Sequence, residues 1–300
     1  PCQSANMDPD NNIPYNMVVA ALNAKGMASS YSASGSSVLF SAPGGEYGVN
    51  NPAIITTDDI NNNSSVNGQN GYTSKFNGTS SATPMVSGVA ALILAKNPNL
   101  GWRDVRHILI SSAKKVDNDI AAAMLIWETG ETLTTEPTWQ TNSAGYHFHN
   151  WYGFGLINAQ AAVEAAGNYG SNLPAQQTKY QTSGTLNQAI PDNSNTGTSH
   201  ILSVSEAEKL TVESVQIRLM LSHLYLSDLQ VQLTSPNGMK SVLMTPRNGM
   251  GTSISNKEMV LLSQAFYGEN SLGDWKLEVF DTNGGDTGTL HSWSMTIYGH

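Results

Sequence analysis

The residues whose types and spacing point most directly to chemistry lie in the run Phe76-Asn77-Gly78-Thr79-Ser80-Ser81-Ala82-Thr83-Pro84-Met85-Val86-Ser87-Gly88-Val89-Ala90-Ala91-Leu92-Ile93-Leu94. Gly78 permits a tight entry turn. Thr79 or Ser80 then opens a helix, and Pro84 is expected near its first turn, where a missing N–H costs little. From Met85 onward the helix is apolar nearly all round, which predicts burial. The small residues Gly88, Ala90 and Ala91 would let neighbouring strands approach closely. A hydroxyl at the mouth of such a helix has two chemical advantages. The macrodipole favours developing negative charge there, and unpaired backbone N–H groups point outward as half of an oxyanion hole. A serine in front of a helix is ordinarily only an N-cap, so Ser80 stands between two readings, cap and nucleophile.

The elements that would position Ser80 are legible over residues 1–170. Residues 15–22 form a short apolar run between Pro14 and Gly26, and residues 38–42 form another that ends at Pro43-Gly44-Gly45. Both fit buried parallel strands. Helices are predicted over 79–96, over 102–112 and over 157–166, the last with Asn158 as its N-cap. Residues 128–150 are polar and read as an irregular surface insertion. The stretch 168–188 is rich in Gly, Ser, Asn, Gln and Thr and reads as a linker. Beyond it the period changes to two. Leu229, Val231 and Leu233 alternate strictly and are followed by the turn Ser235-Pro236-Asn237-Gly238. Trp275, Leu277 and Val279 repeat the pattern, as do Trp293, Met295 and Ile297. Alternating strands without intervening helix predict an antiparallel sandwich over 171–300.

Composition narrows the function classes. The 300 residues carry a formal net charge of −9 and only 12% charged residues. No basic stripe is available to neutralise phosphates, which argues against a nucleic-acid partner. The acidic balance is compatible with calcium ligation, with cationic substrates, or simply with solubility. No apolar stretch is long enough to cross a bilayer, so no membrane partner is expected. The single cysteine, Cys2, cannot form a disulfide within the chain, and its place at the edge leaves room for a partner upstream. The opening Pro-Cys-Gln-Ser-Ala-Asn has neither an initiator Met nor a basic segment and reads as internal to a longer precursor.

The pattern Gly-Thr-Ser-x-Ala-x-Pro at 78–84, with the Val-x-Gly-Val-Ala-Ala-Leu that follows, resembles the nucleophile signature of the subtilisin family of serine proteases. Ala42-Pro43-Gly44 is similar to the family's strand-end turn. Asn97-Pro98-Asn99-Leu100 with Trp102-Arg103-Asp104-Val105-Arg106 is similar to the helix after the nucleophile, and Tyr152-Gly153-Phe154-Gly155-Leu156-Ile157-Asn158-Ala159 to its closing motif. The second half resembles the P domain (homo B domain) of the kexin/furin-like branch through Asp228-Leu229, Ser235-Pro236-Asn237-Gly238, Gly273-Asp274-Trp275, Asp281 and Gly288-x-Leu290-x-x-Trp293. Tyr267-Gly268-Glu269 stands where that branch has Trp-Gly-Glu, which marks a divergent member. The resemblance implies a partial α/β subtilisin-like domain, a parallel sheet with flanking helices, at 1–170. It implies an all-β jelly-roll or β-sandwich P domain at 171–300.

In that framework Ser80 is the acyl-enzyme nucleophile and its own N–H donates to the oxyanion. The family's Asp, its His in a His-Gly-Thr context and its oxyanion Asn would all precede this chain. None of the seven histidines (107, 147, 149, 200, 223, 291, 300) has that context. Each reads as a surface or loop residue, and the chain alone is expected to be inactive. The resemblance further implies protein or peptide substrates, an upstream segment of the same precursor as partner, and secretion to an extracellular or periplasmic space; the scarcity of cysteine suggests a bacterial source. Asp8, with Asp10 nearby, falls closest to the acidic residue that selects a basic P1 side chain in kexin-like enzymes, although Met7-Asp8-Pro9-Asp10-Asn11-Asn12 is equally a turn by composition. Ala33 stands where that branch tends to carry a calcium-ligating Glu, and Gln3 where another acidic ligand is expected, so this calcium site is in doubt. Structural calcium would instead fall to Asp228, Asp274, Asp281 and Asp286, which could equally be turn residues. Two other readings stay open: an inert fragment or β-sandwich interaction module, and a carbohydrate binder using Trp275 and Trp293, whose strand positions favour the core instead.

Overall fold

A computed structural model describes residues 4–48, 51–61, 65–66, 68–249 and 253–300; Cys2 and Gln3 lie outside the described residues. In the first half, β1 (Val18–Leu22) and β2 (Val38–Pro43) pair in parallel and are almost wholly buried. β3 (Ile54–Thr57) pairs antiparallel with β6 (Tyr72–Phe76), and β4 (Ser65–Val66) with β5 (Gln69–Asn70). Then follow α1 (Thr79–Lys96), α2 (Trp102–Ser112) and α3 (Ala159–Gly167). The predicted cap of α3 forms as expected, with Asn158 Oδ1 accepting from Ala161 N. The region read as an irregular insertion, 128–150, instead holds β8 (Thr132–Glu136), which pairs with β7 (Ala123–Ile126) just before it, and the hairpin of β9 (Gln140–Thr141) with β10 (His147–Phe148). Its polar Asn142, His149 and Asn150 are buried. They are buried because their side chains and neighbours bond to the rest of the chain: Asn142 Nδ2 donates to the carbonyls of Ala265 and Tyr267, and Asn150 Nδ2 to that of Val242.

The second half holds β11 (Gln177–Thr182), β12 (Gln188–Ile190), β13 (Thr198–Val204), β14 (Val212–His223), β15 (Leu229–Thr234), β16 (Lys240–Met244), β17 (Ile254–Ser263), β18 (Gly273–Asp281) and β19 (Gly288–Gly299). They form two antiparallel sheets, ordered β11-β19-β14-β17, with β12 also on β19, and β13-β18-β15-β16. The alternation read from sequence is what closes the space between them: Trp275, Leu277, Val279, Trp293, Met295 and Ile297 are all at most 1% exposed. Both tryptophans are therefore core residues. The linker is shorter than its composition suggests, because β11 takes up residues 177–182.

One contiguous apolar core runs through both halves, from Phe40 and Ile93 to Phe266 and Trp275. The halves are also joined by buried polar bonds. Asn6 Nδ2 donates to the Leu262 carbonyl (2.8 Å), Asn12 Oδ1 accepts from Leu262 N (3.0 Å), and Gln216 Nε2 donates to the Asn12 carbonyl (2.8 Å). Arg103 of α2 forms a two-pronged pair with Glu213, whose side chain is 2% exposed, and His300 Nδ1 lies 3.0 Å from the same carboxylate.

Candidate active site

Ser80 is the second residue of α1, two positions past the cap. The N-cap is Gly78, at φ +105°, a conformation that side-chain-bearing residues rarely adopt. Gly78 is pinned from two sides: its N–H lies 3.1 Å from the Gly44 carbonyl and 2.8 Å from the Tyr31 hydroxyl. Tyr31 in turn donates towards the Gly44 and Gly45 carbonyls at 2.6 and 2.9 Å. Ser81, buried, donates its Oγ proton to Gly78 and Gly44 carbonyls. The turn after β2 and the first turn of α1 are thus one hydrogen-bonded unit, and it is Ser81 that turns inward while Ser80 is exposed. The contact of Tyr31 with Gly78 is not legible in the sequence, because 47 residues separate the two.

Pro84 sits in the second turn, not near the first as expected. Its missing N–H leaves the Ser80 carbonyl without the usual i+4 donor. The helix is also less buried than its composition predicts. Ala82, Val86, Val89 and Ile93 face the core, whereas Ser87, Gly88, Ala91, Leu92 and Leu94 are exposed. The reason is that only two strands of parallel sheet, β1 and β2, lie against it among the described residues.

Asp8 and Asp10 are both exposed on a 3₁₀ turn, and Asp8 caps it by accepting from Asp10 N at 3.0 Å. The turn reading is therefore satisfied. The same two carboxylates line a cavity of about 560 Å³ together with Tyr31, Ala33, Thr79 and Thr83, so they face the helix turn that carries Ser80. None of the seven histidines makes a hydrogen bond to Ser80 among the described residues. The expectation that all are surface or loop residues fails at His149 and His223, which are 1% and 2% exposed. His149 is sealed by Trp139 and Tyr152, with its Nδ1 accepting from Trp151 N.

The four acidic residues considered for calcium separate into two places. Asp274 and Asp281 stand at opposite ends of β18, and Asp274 accepts from Ser203 Oγ at 2.5 Å. Asp281 and Asp286 instead converge on His223, a grouping hidden from sequence because 58 residues separate His223 from Asp281. Asp228 lies at the rim, where its backbone carbonyl accepts from Thr282 and its carboxylate from Asn283 Nδ2 at 3.5 Å.

Comparison with known proteins agrees with this architecture. The subtilase family profile matches residues 3–155 and the proprotein convertase P-domain profile residues 212–297. The chain is 35% identical to the Aeromonas extracellular serine protease of Aeromonas sobria, with all of this chain aligned to 57% of that protein. It is 29% identical to kexin of Saccharomyces cerevisiae, over 99% of this chain and 33% of that one. The crystal structure of the serine protease of Aeromonas sobria in complex with its chaperone superposes with a TM-score of 0.92 at 34% identity, covering all of this chain and 60% of that chain. The chain thus spans little more than half the length of the Aeromonas relatives it matches. A signature serine on a glycine-capped helix, two profiles side by side and a superposition along the whole chain lead to one assignment: the chain belongs to the subtilase family of serine proteases and carries a P domain.

Proposed function

We propose that the chain is part of a secreted serine endopeptidase in which Ser80 is the nucleophile. The observation that carries this reading is the placement of Ser80, exposed in the first turn of α1 on a backbone fixed by Gly78, Tyr31 and Gly44. In the reaction, Ser80 Oγ attacks the scissile carbonyl carbon and its proton passes to a histidine. The helix N-terminus and the Ser80 N–H favour the oxyanion; collapse expels the amine, and water then releases the acid. The histidine, the aspartate that orients it and the oxyanion asparagine are assigned to an upstream segment of the same precursor. The exposed apolar face of α1, with Leu92 and Leu94, is where that segment would complete the sheet; without it the chain should be inactive and prone to aggregate. Asp8 and Asp10 would favour a basic side chain at P1.

Fluorophosphonate labelling with mass spectrometry tests the assignment. With the upstream segment supplied, one adduct is expected, on Ser80, and none in Ser80→Ala; the chain alone should not react. An adduct that survives Ser80→Ala would sink the reading.

A further inference from the structure

His223 closes β14, and two carboxylates reach it from the other sheet's far end and the loop beyond. Its Nε2 lies 3.1 Å from Asp281 Oδ2 and 3.3 Å from Asp286 Oδ1, with side-chain exposures of 0%, 0% and 5% for the three residues. One donor atom from each residue falls within 4.8 Å of the others. The second ring nitrogen is already engaged. Nδ1 lies 2.9 Å from the Tyr225 carbonyl, closer than to the Tyr225 N–H at 3.2 Å. Two lone pairs would repel at 2.9 Å, so the geometry puts a proton on Nδ1. Nε2 therefore faces the carboxylates either protonated or as a free lone pair. Gly288 lies against the ring, where a Cβ would run into the imidazole and stand 2.8 Å from the Ser222 carbonyl.

A proton on Nε2 fills this site poorly. It can point at one carboxylate, and Asp286 Oδ1 is in fact buried without a hydrogen-bond partner. Such an oxygen is costly to leave unpaired. A divalent cation would satisfy all three atoms and cancel both charges. Two ligands about 2.1 Å from one ion at tetrahedral angles stand roughly 3.4 Å apart, close to the spacing around Nε2. Asp281 also has the second contact expected of a ligating carboxylate, its Oδ1 accepting from Asn283 N at 3.2 Å. Calcium fits less well. It takes six to eight oxygens, whereas one donor here is nitrogen and Asp274 is at the other end of β18. Imidazole with carboxylates suits the borderline transition metals.

We propose that His223, Asp281 and Asp286 form a binding site for a zinc-class divalent transition-metal ion, distinct from structural calcium, that clips the end of β14 to the β18–β19 connection. The test uses the chain with its upstream segment supplied, after chelator treatment, titrated with Zn²⁺ and separately with Ca²⁺, with calorimetric stoichiometry and thermal midpoints as readouts. About one Zn²⁺ is expected to bind per chain and raise the midpoint, with Ca²⁺ ineffective at equal concentration. Asp286→Ala, at the edge of the cluster, should fold at least as stably without metal yet bind Zn²⁺ more than tenfold more weakly, since loss of an outer contact alone costs about 10–100-fold. Asp274→Ala should bind as the parent does. Absence of Zn²⁺ binding, unchanged affinity in Asp286→Ala, or a preference for Ca²⁺ would each overturn the proposal.

Discussion

Glu136, at the end of β8, accepts a hydrogen bond from Ser34 Oγ at 2.7 Å while its other carboxylate oxygen is buried without a partner. Burial pushes its pKa up to about 7, against the opposing pull of Ser34 and Asn150. Burial pushes His149 the other way, down to about 4, only partly offset by Asp117. The two groups give stability opposite slopes. Between about 4.5 and 7 the folded chain holds the Glu136 proton that the unfolded chain has released, so this residue makes stability fall as pH rises. Between about 4 and 6.5 the unfolded chain holds the His149 proton that the folded chain lacks, so that residue makes stability rise. Glu136→Gln removes the first slope alone. Its thermal midpoint should climb more steeply from pH 4.5 to 6.5 than the parent's, and parallel curves would refute the assignment. Neither group was readable from sequence. Glu136 lies in a mostly polar run and His149 stands between Phe148 and Asn150 in a loop-like segment, and only the packing of distant segments takes them out of water.

The close of the first half depends on backbone approach. The segment after β10 is threaded against β2, with Phe154 N donating to the Leu39 carbonyl and Ile157 N to the Ser41 carbonyl. Gly155, at φ +120°, lies so close to the chain before it that a Cβ would overlap the Lys114 carbonyl. Gly155→Ala should therefore cost about 2 kcal/mol or more. Gly145→Ala, at φ +86° with open space around it, should cost only about 1–2 kcal/mol from backbone strain. Equal losses in thermal unfolding would show that crowding at Gly155 is relieved at no cost. Elements of this kind were largely legible. The helix starts, the parallel pair, the alternating strands and the turn at Gly238 all follow local rules of period and capping. What local rules missed was tertiary: the hairpins within 123–148, formed by residues that look solvent-facing, and the bare face of α1, whose composition promised a burial that two strands cannot supply.

Across the molecule, the halves meet over a charged pair with almost no access to water. Glu213 receives Arg103 and His300, and these contacts outweigh burial to hold its carboxyl below the usual range. Arg106, fully buried in the same seam, donates to the carbonyls of Pro14 and Glu213. Glu213→Gln leaves Arg103 without its charge partner and should lower stability by about 3 kcal/mol, as breaking buried pairs does. Arg103→Met with Glu213→Met should recover much of that, and a double variant as unstable as the single one would show that the charges matter for something other than each other. The same seam has a consequence for when the protein can fold. Asn6 is fastened to Leu262, 256 residues later. A chain made from its amino end therefore delivers most of its length before its opening turn, the one that carries Asp8 and Asp10, can find its resting place. Asp8 and Asp10, whose carboxylates line one cavity with Thr79 and Thr83, therefore take their places only after the late strand β17 has been made.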